Sequence, residues 1–448
     1  RKMKICGVVF LWCGALSTAK LIGVNLVSRH GTRAANPSVE KLCPGDRPNL
    51  ENFGNLGLSP GGLTGKGMEE LYKMGEWTRQ NYIGQGKLLP TYFNKDLVHV
   101  SAVGTERTLQ SAAAWGQAMY PAGTAAKGYN HATPLAVFSM PASLDNVMEA
   151  RSAACKATLA ADTAHWDAND GKALFEKHAD IVKAMSQACH QDLRNASENL
   201  GDAVKDVSDA WTFEYFVDFP PAKYVSSALL DRARKLAVTN LFGRLYNTEA
   251  QRTYMSGALP QKMVDTFTAM AAHQTSPRMF AYHGHREMLY ALAFFFNVSF
   301  HLPAPGTPII PEFNSGAIPP TTTLVWELHE IQNSSNQPEH FVRLLIWRPC
   351  NENADPVHWP GNNGADCVAV PARMGSCPDM CPLDTFTSFV INRTALTGTW
   401  DSICSSSSSS SSNSNTYSSG TTYHPVFSAS SAPAASAPAA AASASAAS

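Results

Sequence analysis

The chain has 448 residues, enough to bury a large core as one domain with an insertion or as two domains. Lys and Arg number 35 against 36 Asp and Glu, a net charge of -1 that argues against a polyanion-wrapping nucleic-acid binder and allows only local cationic pockets. At the N-terminus Arg1, Lys2 and Lys4 precede an apolar run, Ile5 to Leu16, and Ser17-Thr18-Ala19 supplies small residues suited to cleavage. Residues 1–19 therefore read as a secretory signal peptide. The apolar run is shorter than the roughly 20 residues a spanning helix needs, so the expected destination is extracellular. Cys6 and Cys13 would leave with the signal. The remaining Cys43, Cys155, Cys189, Cys350, Cys367, Cys377, Cys381 and Cys404 form an even set, which in an exported chain implies disulfides without choosing among connectivities. Cys377 and Cys381 read as a small disulfide loop rather than half of a zinc site, because no matching second pair of ligands lies close by. Asn195, Asn297, Asn333 and Asn392 open Asn-x-Ser/Thr sites, glycan acceptors where exposed.

The next apolar run, Leu21 to Val27, reads as a short buried strand ending in Ser28-Arg29-His30-Gly31-Thr32-Arg33. Arg29 and Arg33 offer planar, permanently charged donor forks that match phosphate oxygens, and Gly31 lets the backbone turn tightly beside a bound anion. Like-charge repulsion from the two arginines should lower the pKa of His30 and keep it neutral and nucleophilic in mild acid. An isolated Arg-His pair would be surface decoration. The full Arg-His-Gly-x-Arg pattern after a strand near a mature N-terminus resembles the histidine acid phosphatase family, and the resemblance extends from about Leu21 to Cys404. It implies an α/β three-layer sandwich with a mixed, mostly parallel central sheet and a helical insert. It also implies hydrolysis of small-molecule or protein phosphate monoesters through a phosphohistidine, with no cofactor and no metal, and a Cys155 to Cys404 disulfide.

Asn36 to Gly67 is rich in Pro, Gly and Asn and should be mostly loop. Gly65-Lys66 is followed by Gly67 rather than Ser or Thr, so a nucleotide-binding phosphate loop is rejected. An amphipathic run from Glu69 to Tyr82 predicts a helix with Leu71, Met74 and Trp77 on one face. Leu97 to Val100 then reads as a strand, and Thr105 as the cap of a following helix. Arg107 in the first turn of that helix opposes the helix dipole, which favours a chemical role over a stabilising one. The family resemblance makes Arg107 the third phosphate clamp, although the Arg-Ser-Thr run that often precedes it is here Ser101, Ala102 and Val103.

From about Met148 to Gln274 the pattern turns helical. Leu174, His178, Ile181, Val182, Met185 and Ala188 share one face, and Leu229, Leu230, Ala233, Leu236, Ala237 and Leu241 another. His178 belongs to an apolar stripe and is expected to be packed. By resemblance, this insert roofs the active site and sets access to it.

Met279 to Tyr282 reads as a buried strand leading into His283-Gly284-His285-Arg286-Glu287, with a helix over Met288 to Phe296. The family has a His-Asp pair here, the histidine contacting phosphate and the acid protonating the leaving oxygen. This chain has His285-Arg286, and the nearest acid is Glu287, an arrangement that resembles the His-x-Glu of a branch acting on inositol phosphates. His285 and Glu287 can share the site only if helix begins at or after Glu287, because residues two apart point the same way in extended chain but nearly opposite ways in a helix. His283 and His285 could alternatively be a metal pair. Glu327-Leu328-His329-Glu330 lacks the second histidine of a zinc helix, so a metal-dependent phosphoesterase is the second reading.

Thr321 to Ile331 and His340 to Trp347 predict a hairpin turning on Asn333 to Pro338. A short helix is expected from Pro382 to about Asn392, and the phosphatase-like domain spans 20–404, with its insert at about 148–274. Residues 405–448 are Ser- and Ala-rich, too poor in apolar residues to offset chain entropy, and should be disordered. No apolar segment ends the tail, so no membrane anchor is expected in the mature form. Such a tail after such a domain resembles the secreted acid phosphatases of trypanosomatids. The expected protein is a secreted acid phosphatase with His30 as nucleophile, Glu287 as acid and Arg29, Arg33, Arg107 and His285 holding phosphate. Because the aspartate after His285 is missing, an inactive exported binding or scaffold protein on the same fold is the third reading. Oligomerisation is left open.

Overall fold

The central strand, β1 (Lys20–Arg29), is buried from Ile22 onward because it is paired on both edges and covered on both faces. β4 (Met279–Gly284) lies parallel to it on one side and β6 (Thr323–Gln332) antiparallel on the other. The computed structural model describes residues 19–125, 127–149, 155–220, 225–299, 318–349 and 369–405. Residues 1–18 of the signal-like segment, Cys350, Cys367 and the tail from residue 406 lie outside these.

Among the described residues the sheet has nine strands in the order β3-β2-β4-β1-β6-β7-β8-β5, with β9 (Cys381–Pro382) paired to β7. β2 (Val98–Ala102) and β3 (Val137–Phe138) continue the parallel half beyond β4. β7 (Pro338–Trp347), β8 (Ala369–Met374) and β5 (Val298–Ser299) form the antiparallel half beyond β6. The expected mixed sheet is therefore present, and its parallel half carries the residues singled out above. The β6–β7 hairpin turns where the sequence predicts. Asn333 Oδ1 accepts from the amides of Ser335 (2.9 Å) and Gln337 (3.0 Å), and Asn336 takes a positive φ of 57°.

Alternation along β1 sorts its side chains between two layers. Val24 and Leu26 join Leu71, Met74 and Trp115 of the helices Gly65–Tyr82 and Glu106–Met119. Val27 faces the opposite layer, built from Leu259–Ala271, Arg286–Phe295 and Leu383–Thr397, where Met263, Phe267, Leu289, Phe296 and Phe386 pack. Gly23 lies on that side too, and the Met270 side chain packs over it. A third core joins Val39 and Leu42 to the helices Ala179–Cys189, Leu200–Phe216 and Ser227–Tyr246. The described residues between Lys156 and Ala271 form helices joined by turns, with no strand among them. The last helix of the run packs on β1 as part of the sandwich rather than with the third core.

Local details depart from the pattern-based reading where tertiary contacts decide. The helix expected from Glu69 begins at Gly65, because the Thr64 side chain accepts from Gly67 N and caps it there. Thr105 occupies the cap position of Glu106–Met119 but does not cap with its side chain, its hydroxyl pairing instead with Thr108 Oγ1 at 2.8 Å. The stripe from Leu174 to Ala188 is split into Asp170–Lys177 and Ala179–Cys189, which meet at a half-buried His178. The last long helix runs to Thr397, past the expected end at Asn392. Disulfides join Cys43 to Cys189, Cys155 to Cys404, and Cys377 to Cys381, matching the two pairings anticipated and adding the first. Among the described residues no helix is long and apolar enough to cross a membrane.

Candidate active site

The C-terminal ends of β1, β2 and β4 meet at one point, the usual ligand position in parallel α/β sheets. Backbone bonds stitch them together: His30 N donates to Gly284 O (2.8 Å) and Val103 N to His283 O (3.0 Å). The loop after β1 is held by groups the sequence did not single out. Glu70 accepts from Thr32 N (2.9 Å), Thr32 Oγ1 (2.7 Å) and Thr321 Oγ1 (3.2 Å), and Thr64 Oγ1 donates to Thr32 O (2.8 Å). Gly31 is required by close approach, since a Cβ would stand 2.3 Å from Gly67 O. Its amide donates to Ser111 Oγ (3.2 Å), and that hydroxyl donates to Arg107 O (2.7 Å), linking the His30 loop to the helix that carries Arg107.

His30 is buried, and its Nδ1 lies 2.8 Å from Gly31 O. A carbonyl oxygen only accepts, so Nδ1 carries the proton and Nε2 keeps a lone pair. The imidazole pKa is held well below the ordinary histidine value, first by burial and then by Arg29, His285, Arg107 and Arg33. The expected repulsion from Arg29 and Arg33 is real. Burial nevertheless outweighs it, and two further groups share it.

Arg29 and Arg33 are both buried beneath Phe213, their guanidinium carbons 5.6 Å and 4.6 Å from its ring centre. Arg29 Nη1 donates to Ile318 O, and Arg33 Nη1 to Ala34 O at 2.8 Å. The buried Nε donors of both residues have no hydrogen-bond partner among the described residues, a state that an oxyanion would relieve. Burial pulls Arg29 down to about 10 and Arg33 to about 9, so both keep their charge in acid. Arg107 is half-buried, with Nη2 3.5 Å from His285 Nδ1, and the His285 ring stands edge-on to His30 with centres 5.4 Å apart. The structure thus gathers Arg29, His30, Arg33, Arg107 and His285 around one pocket.

Glu287 requires a correction of detail. Helix begins at Arg286, one residue earlier than the condition set for His285 and Glu287 to point alike. Glu287 is buried, its Oε1 3.5 Å from Arg286 Nε, and its charge acts on Arg29; His285 is turned toward Arg107. Arg286, standing where the family pattern has aspartate, is met by Asp209 in a bidentate pair at 2.6 Å and 3.0 Å. Burial alone would raise the Asp209 pKa, but Arg286, Lys205, Arg33 and Arg29 hold it below the ordinary value, so it stays an anion. Glu149 is the other carboxyl group brought to the pocket, with Oε2 3.7 Å from His285 Nε2.

His283 does not join His285. Its ring packs 5.1 Å from Trp115, neither nitrogen has a hydrogen-bond partner among the described residues, and burial pulls it down to about 3. It is a neutral core residue facing the Glu106–Met119 layer. Among the described residues no group of three or more His, Cys, Asp or Glu is arranged to hold a metal ion. Sequence reasoning missed Glu70, Glu149, Asp209 and Phe213. Only Asp209 and Phe213 carry a usable signal, an acid and an aromatic four apart on one helical face.

The model of the histidine phosphatase superfamily, branch 2, matches residues 20–346. The chain is 22% identical over 401 residues to the lysosomal acid phosphatase of Homo sapiens, covering 84% of this chain and 82% of that one. Among solved structures it is similar to the phytase of Klebsiella sp ASR1, with a TM-score of 0.60 at 16% identity, covering 85% of this chain and 98% of that chain. The apo phytase of Hafnia alvei gives a TM-score of 0.59 at 16% identity with the same coverage. These structural likenesses bear on the fold, and they agree with the sandwich described above.

Proposed function

The chain belongs to branch 2 of the histidine phosphatase superfamily and is a phosphomonoester hydrolase, and from that premise we propose that it is a secreted acid phosphatase working through a phosphohistidine on His30. The observation that carries the mechanism is a neutral, buried imidazole with a free Nε2 lone pair inside a ring of guanidinium groups. In this reading Arg29, Arg33, Arg107 and His285 hold the phosphoryl oxygens. Nε2 attacks phosphorus, the bond to the ester oxygen breaks, and Glu287 gives that oxygen its proton. Water then attacks phosphorus, the N–P bond breaks, phosphate leaves and Glu287 recovers a proton from the water. The fixed cations act most strongly where charge develops on the equatorial oxygens, so the step calls for no metal. Substrates are phosphate monoesters on small molecules or proteins.

Export is supported by the signal-like residues 1–19 and by disulfides, which persist in oxidising compartments. We divide the chain into that signal, a catalytic domain at 20–404 whose helical insert at about 148–274 roofs the site, and the tail at 405–448. The tail's Ser-rich composition and its resemblance to trypanosomatid secreted acid phosphatases support a modified extracellular form. Asn195, Asn297 and Asn392 are exposed and suited to glycosylation, with the Asn195 amide donating to Asp192 at 2.8 Å and the half-buried Asn333 amide to Glu339 at 3.0 Å. The test is hydrolysis of an aryl phosphate across pH 4 to 8 with EDTA present. Activity that peaks in acid and survives the chelator is expected. Loss restored by a divalent cation would point to a metal-dependent phosphoesterase, and no turnover at any pH to a scaffold.

A further inference from the structure

Glu149 stands outside every motif of the chain, yet its carboxylate meets the one imidazole edge that Arg107 does not. Glu149 Oε2 lies 3.7 Å from His285 Nε2, and the two side chains are only 5% and 9% exposed. On the opposite edge, Arg107 Nη2 lies 3.5 Å from His285 Nδ1. A guanidinium donates and never accepts, so in the neutral ring Nδ1 holds the lone pair and Nε2 the proton, which then points to Glu149; a second proton, on Nδ1, charges the ring. Among the described residues, the other charged and titratable groups of this site include His30 and Arg29 at the end of β1, Arg33 on the loop after it, Arg286 and Glu287 on the helix that His285 precedes, and Asp209 from the insert. Asp209 is taken up by Arg286, and Glu287 is turned toward Arg286 and Arg29.

We propose that Glu149 is a positioning residue: acting through His285, it fixes the tautomer and orientation of the ring and extends to higher pH the range in which that ring carries charge. The inference rests on the phosphatase reading only in giving His285 a phosphate to contact. A carboxylate within about 4 Å of an imidazole raises its proton affinity by roughly tenfold or more.

The test follows the His285 Cε1–H resonance of the full chain by NMR against pH, assigned by its absence in His285→Asn. In Glu149→Gln the His285 midpoint should fall by about one pH unit, and the alkaline limb of the kcat/KM profile should move with it. A midpoint within about 0.3 unit of the wild type overturns the proposal. Should the Gln variant not fold, Glu149→Asp carries the test: its shorter arm withdraws the carboxylate, so the midpoint must fall by about half a unit, and an unchanged midpoint overturns the proposal. The resonance is read on resting protein. Absence of hydrolysis by the wild type would therefore sink the phosphatase reading while leaving the link between Glu149 and His285 to stand or fall by itself.

Discussion

Three buried carboxylates surround the His30 pocket, and their neighbours assign them different work. Asp209 is bound to Arg286 and held as an anion, so it balances charge and has no proton to give. Glu149 faces His285, and Glu287 lies in the first turn of its helix beside Arg286. Of the three, Glu287 alone was readable from its spacing to His285. If it protonates the leaving oxygen, Glu287→Gln should slow alkyl phosphates by about 10² to 10⁴ in kcat/KM while aryl phosphates with stable leaving groups change far less. Steady-state kinetics over a series of leaving groups reads this directly, and equal slowing of all substrates would remove Glu287 from the role. His283 shows the opposite lesson. It sits in the richest motif of the chain and is a core residue against Trp115, because alternation along β4 turns it to the helix layer.

The helix Leu200–Phe216 is the element that couples the insert to the chemistry. Asp209 and Phe213 reach the arginine cluster from one face, while Glu214 turns to Asp46 beside the Cys43–Cys189 disulfide. Asp46 and Glu214 are both fully enclosed, and Asn49 Nδ2 donates to one oxygen of each, at 3.2 Å and 2.9 Å. The other oxygen of each finds no donor among the described residues, an arrangement completed by one shared proton. Burial raises both carboxyls above their ordinary values, and in Glu214 the hydrogen bond and charge of Asp46 raise it further. An acid whose folded value is raised lends stability that is whole below its unfolded value near 4 and fades as pH climbs through the folded value, by up to about 1.4 kcal/mol per unit. The lowered His30 and His283 act with the opposite sign, losing stability as pH drops below about 6.5. Urea unfolding at pH 5 and pH 8 should therefore show Asp46→Asn losing less stability toward pH 8 than the wild type. Parallel pH curves for the two proteins would show that no proton is shared.

At the scale of the molecule, a net charge of -1 coexists with a pocket of buried cations because burial and strand convergence, rather than overall composition, concentrate them. Parallel pairing of β1, β2 and β4 aims three successive loops at one point, and the antiparallel half from β6 outward shields the other edge of β1. Much of this was legible. An apolar strand closing on Arg-His-Gly-x-Arg, the β6–β7 hairpin with its Asn turn and the helix bearing Arg107 all carry local signals that tertiary contacts leave in place. What stayed hidden is supplied across the fold. Glu70 clamps Thr32 and Glu149 meets His285, and neither has a neighbour in sequence that announces it. The division at His178 was likewise invisible, since its apolar stripe continues in phase while the backbone does not.

The most direct test of the central claim is to trap the covalent intermediate. Wild-type protein mixed with an aryl phosphate, quenched within milliseconds into alkali to preserve phosphohistidine and digested, should yield the peptide spanning His30 heavier by one phosphoryl group. The same peptide from His30→Ala should be unmodified, and turnover should fall by about 10³ or more. Hydrolysis with no phosphorylated peptide, or a phosphoryl group on any residue other than His30, would contradict the account.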